Sequence, residues 1–144
     1  LDPAHTDNYR ASLLSFEHTL NQRMLHWQNQ LTRIKGQPVI AYHNSFIYLA
    51  QAFGFKIVDE IEPQPGIAPS AASLAELVST IQREQIALLI MEPYYERRSA
   101  QFLQQHTDIK LAVLPQSVGA RDDINTVFDL FDSIVETLSQ TLEH

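Results

Sequence analysis

"PVIAYHNSFIYLAQAFG" (38–54) is the stretch that decides the fold. A short apolar run rich in β-branched and aromatic residues (38–42) predicts a β-strand. His43 follows, and then apolar residues at helical spacing (45–53), with Asn44 or Ser45 as N-cap and Gly54 just past the end. A strand that runs straight into a helix is the repeating unit of a parallel sheet.

The same alternation continues outward. "FKIVDEI" (55–61) predicts a second strand, and the Pro-rich loop "EPQPGIAPS" (62–70) leads to Ser70 as the N-cap of a helix marked by Leu74, Leu77, Val78 and Ile81. "IALLIM" (86–91) is continuously apolar, as a strand covered on both faces should be. A helix near 96–106, a strand "KLAVL" (110–114), and a last helix starting at Asp122 or Asp123 complete the pattern. That last helix carries Ile124, Val127, Phe128, Phe131, Ile134, Val135 and Leu138.

Upstream, Tyr9, Leu13, Phe16, Leu20, Met24, Trp27, Leu31 and Ile34 recur every three or four residues. They predict a long amphipathic helix between Asp2-Pro3 and Gly36, packed on its own domain, with a coiled-coil arm as the rival reading. The order predicts an α/β domain: a four-stranded parallel sheet, order 2-1-3-4, with helices on both faces and a long N-terminal helix in front.

A length of 144 residues, 44% of them hydrophobic, suffices for one domain with a core. The formal net charge of −7 argues against a nucleic-acid partner, which calls for a basic face. The absence of cysteine excludes disulfides and thiolate metal sites. No apolar run approaches the roughly 20 residues needed to cross a bilayer. Residues 143–144 of the closing "LEH" read as the remnant of an expression tag, which leaves 1–142 as the domain.

Each predicted strand exits on a polar residue: His43, Glu62, Glu92 and Gln116. Ligands of open parallel sheets bind outside the carboxyl ends of the strands, where strand order reverses. With order 2-1-3-4 that point lies between the first and third strands and is flanked by His43 and Glu92. No Gly-x-Gly-x-x-Gly, Walker loop or Gly-x-Ser-x-Gly elbow is present. An imidazole with oxygen donors suits zinc or manganese. From the residues alone, His43 reads either as a ligand or as a hydrogen-bonded structural residue. A flavodoxin-like enzyme domain using His43 and Glu92 as an acid–base pair is the alternative function. His5, His18, His26, His106 and His144 lie off the predicted strand ends.

"YHNSF" (42–46), "EPQPGIAPS" (62–70), "LAEL" (74–77), Glu92-Pro93 and "SVG" (117–119) together resemble the C-terminal lobe of the zinc- and manganese-binding solute-binding proteins of ABC transporters, the ZnuA-like family. The resemblance implies a two-lobed protein, not an enzyme, that holds a metal between its lobes outside the cytoplasmic membrane and passes it to an ABC permease. It implies that this chain lacks the N-terminal lobe and is by itself a monomer or weak dimer. His43 falls on the family's third ligand position. Gln116 falls on the fourth, where many members carry Asp; an uncharged amide there favours Zn2+, with Mn2+ possible. Glu92, Asn44 and Phe46 are then expected beside the metal or in the cleft, with Phe46 shielding it from water.

Overall fold

A computed structural model describes residues 2–64 and 66–143 of the chain. Its elements are α1 (Thr6–Gln30), β1 (Pro38–Ala41), α2 (Ile47–Phe53), β2 (Lys56–Glu60), α3 (Ala71–Glu84), β3 (Leu88–Met91), α4 (Arg98–His106), β4 (Lys110–Val113) and α5 (Val127–Glu143). The four strands form one all-parallel sheet in the order β2-β1-β3-β4, as expected.

Strand alternation sorts the side chains into two cores. Val39, Ala41, Leu88 and Ile90 join Trp27, Leu31, Phe53, Ile134, Val135 and Leu138 in the layer beneath α1, α2 and α5. Ile40, Tyr42, Leu89 and Met91 point the other way, toward Leu77 and Ile81 of α3 and Ala100 and Leu103 of α4. All four residues of β3 are buried, which accounts for its unbroken apolar run. β2 and β4 are the sheet edges, and β2 is largely exposed.

The caps follow side-chain chemistry. Ser70 Oγ accepts a hydrogen bond from the Ser73 N–H and starts α3. Gly54, at φ 76°, closes α2 in the left-handed conformation that glycine adopts without a Cβ penalty.

Three expectations are corrected. The first helix ends at Gln30 rather than running toward Gly36, and a 3-10 turn (Thr32–Ile34) carries the chain into β1. Its apolar stripe is split: Trp27 is buried and Leu20 and Met24 pack on the core, but Tyr9, Leu13 and Phe16 are exposed. α2 begins at Ile47, without a side-chain cap from Asn44 or Ser45. α5 begins at Val127, not at Asp122 or Asp123. The reason is a reciprocal box: Asp129 Oδ2 accepts from the Thr126 N–H, and the Asp129 N–H donates to Thr126 Oγ1. Ile124 is buried, but in the turn before the helix. Of the tag assigned to 143–144, Glu143 is the last residue of α5 and His144 lies outside the described residues. No helix among the described residues is long and apolar enough to cross a membrane.

Candidate metal centre

The carboxyl ends of the strands bring together a histidine, a glutamate and two tyrosines. β1 hands the chain to Tyr42 and His43, and the ladder runs one step past the strands: the Ile61 N–H donates to the Ala41 carbonyl and the Glu62 N–H to the Tyr42 carbonyl, both at 3.0 Å. This extension fixes Glu62 beside His43. β2 is hydrogen-bonded to β1, so the two exits are neighbours despite lying 19 residues apart.

The His43 side chain is buried, and its two ring nitrogens have different surroundings. Nδ1 lies 2.6 Å from the Glu62 carbonyl oxygen. A carbonyl can only accept, so Nδ1 carries the hydrogen. Nε2 is sealed from solvent and has no hydrogen-bond partner. It faces Glu62 Oε2 at 3.4 Å, beyond the range of a good N–H···O bond. The other carboxylate oxygen, Oε1, accepts from the Tyr42 hydroxyl at 2.9 Å. The Tyr95 ring stacks on Tyr42 at 4.9 Å and lies 4.4 Å from the imidazole, so aromatic carbon covers the pair. Burial pushes the Tyr42 hydroxyl up to about 12, helped by the hydrogen bond to Glu62 and by that carboxylate's charge. Tyr42 therefore remains a donor to Glu62 across the physiological range.

A histidine that donates through Nδ1 to a backbone carbonyl and keeps Nε2 for a partner has the arrangement of a metal-ligating imidazole: the outer hydrogen bond fixes ring orientation and raises basicity. The buried Nε2 supplies the direct test of fit, since a buried polar atom without a partner is costly. A cation or a proton between Nε2 and Oε2 would satisfy both atoms.

The other expected residues are placed differently. Glu92, after β3, is wholly buried, and neither carboxylate oxygen has a hydrogen-bond partner. It lines no open cleft and makes no hydrogen bond to His43, so the acid–base pair required by the enzyme reading is not formed. Phe46 is a core residue in the layer beneath α1, α2 and α5 rather than a shield over His43. Asn44 and Gln116 are exposed, and Gln116 stands three residues beyond the end of β4. His43 itself lies four residues before α2, outside the first turn where a helix dipole acts. Sequence reading named Glu62 as a strand exit but left it out of the site. The available signal was strand order, since 2-1-3-4 makes β2, like β3, a neighbour of β1. Among the described residues no three His, Cys, Asp or Glu side chains converge on one point.

Comparison with known proteins places this geometry in context. Residues 1–141 match the family model described as "Zinc-uptake complex component A periplasmic". A high-affinity zinc uptake system protein of Brucella abortus is 23% identical over 142 residues, which are 99% of this chain and 42% of that protein. A zinc-binding lipoprotein of Streptococcus pneumoniae is 32% identical over 106 residues, 74% of this chain and 21% of its own length. The fold matches a manganese-bound mutant of a periplasmic metal-binding protein from Candidatus Liberibacter asiaticus with a TM-score of 0.80 at 18% identity. That match covers 98% of this chain and 54% of the other. The chain thus spans about half the length of such relatives, or less.

Proposed function

Because the chain belongs to the periplasmic zinc-uptake component A family, we propose that it is the C-terminal lobe of a solute-binding protein that captures a divalent transition metal outside the cytoplasmic membrane. Zinc is favoured over manganese, and an ABC permease receives the metal. The observation that carries this reading is the His43 imidazole at the carboxyl edge of the sheet, held through Nδ1 and with Nε2 buried and unpartnered. A nitrogen donor suits the borderline-soft zinc ion better than the harder manganese.

The site is half of a shell. Zinc takes about four ligands, and among the described residues the convergent donors fall short of that number. The remaining ligands come from an N-terminal lobe, so the metal is gripped where two lobes meet. The reading is of a binding protein, in keeping with the family match, and His43 holds the Glu62 carbonyl. The test is His43→Ala in the full-length protein that carries this chain. Calorimetric titration should show zinc affinity falling by more than the roughly 10–100-fold typical of losing an outer partner, with the metal-free protein still folded as judged by circular dichroism. A wild-type zinc affinity in the variant would overturn the assignment.

A further inference from the structure

We propose that Glu62 is itself a metal ligand, its Oε2 forming with His43 Nε2 a two-toothed grip on the ion; this rests on the metal-capture reading above. The geometry makes the case. Two donors bound to a tetrahedral zinc at about 2.0–2.1 Å stand about 3.3–3.4 Å from each other. Nε2 and Oε2 are 3.4 Å apart, both on largely buried side chains. That spacing is long for a direct N–H···O bond and right for two corners of one coordination tetrahedron.

Every other polar atom of the pair is already held. Nδ1 donates to the Glu62 carbonyl and the Tyr42 hydroxyl donates to Oε1. Only Nε2 and Oε2 are left facing each other. The residue that orients the imidazole thus also presents the carboxylate, so one turn of chain after β2 acts on the metal twice. Glu62 brings a negative charge that the exposed, uncharged amide of Gln116 does not. Because Nε2 is sealed, a metal reaches it only when a covering side chain moves, and Tyr95, 4.4 Å from the ring, is in place to do so.

The test uses the full-length protein carrying this chain, titrated with zinc chloride and read at single atoms by NMR. Exposed histidines such as His18 and His26 would otherwise contribute weak binding of their own. Zinc is expected to shift the Glu62 side-chain carboxyl carbon and the His43 Nε2 resonance with one common midpoint. Glu62→Gln keeps the backbone carbonyl that orients His43 and an amide oxygen for Tyr42. It is expected to raise the zinc midpoint at His43 by about tenfold or more, while the Nδ1–H signal of the metal-free protein stays in place. If zinc moves His43 but leaves the Glu62 carboxyl carbon and the variant's midpoint unchanged, Glu62 is no ligand and the capture reading survives. If zinc moves neither residue, both readings fail. Should the variant not fold, the carboxyl carbon of the wild-type protein decides alone.

Discussion

Asp132 joins the long first helix to the last one, and its removal has a cost that can be worked out contact by contact. Asp132 Oδ1 accepts from the Trp27 indole N–H at 2.7 Å, and the carboxylate takes both 3.1 and 2.8 Å bonds from Arg23 Nη1. Trp27 is 1% exposed, so in Asp132→Ala its N–H loses its partner without gaining water. Such an orphaned donor costs about 1–3 kcal/mol. The Arg23 pair is far more exposed, with side chains 44% and 39% accessible, and contributes about 0–1 kcal/mol. The sum is a loss of about 1–4 kcal/mol, or a fall of roughly 3–12 °C in melting temperature. Urea unfolding followed by circular dichroism measures it without relying on the single tryptophan. Arg23→Ala should cost no more than about 1 kcal/mol. In a Trp27→Phe background, Asp132→Ala should shrink to that same value, because the orphaned donor is gone. If Asp132→Ala and Arg23→Ala are equal in the wild-type background, the buried indole bond is not what fastens α1 to α5.

Further outcomes follow from other parts of the molecule. Hydrogen bonds from Thr126 hold the Asp129 carboxyl below its ordinary value, with help from the Asn125 N–H and the Arg23 charge. Its folded pKa is thus lower than its unfolded one, so its contribution is present above about pH 4 and lost as pH falls through the folded value. Asp129→Asn should flatten acid unfolding in that window, and an unchanged profile would remove the box from the acid response. Glu92 is buried with neither oxygen paired, so Glu92→Leu should leave stability unchanged or raise it by about 1–3 kcal/mol. A clear loss in chemical denaturation would mean that the carboxylate has a buried partner. Gln116→Asp places a hard charged oxygen at the exit of β4 and should tilt zinc–manganese competition toward manganese. Superimposable competition curves would take Gln116 out of the site.

How far the sequence could be read differs between fold and site. β3 announced itself because a strand covered on both faces cannot alternate, and Leu88–Met91 is apolar throughout. Ser70 and Gly54 were legible because a cap needs a hydroxyl and a left-handed residue needs no Cβ. The start of α5 is not legible although Thr126-x-x-Asp129 spells a box: two earlier aspartates offer an equally good local signal, and only packing of Ile124 in the preceding turn separates them. The stripe of α1 has the right period, but periodicity says nothing about a partner, and its first half has none of its apolar residues buried.

At the site, His43 was found because a strand exit in a parallel sheet is a privileged place. Glu62 is harder to find because the switch point between β1 and β3 lies on the other side of β1 from it. Its contact with His43 depends on the ladder running past β2, whose register against β1 shifts between Val39 and Ile40. A register shift of that kind leaves no mark in composition or spacing.

The central claim is that Nε2 of His43 is a metal donor, and the nitrogen NMR spectrum of that one ring tests it most directly. In the metal-free full-length protein the structure predicts a hydrogen on Nδ1, bonded to the Glu62 carbonyl. Saturating zinc should then displace the Nε2 resonance strongly while the Nδ1–H signal persists. Zinc that saturates the protein and leaves the His43 Nε2 resonance where it was would contradict the account.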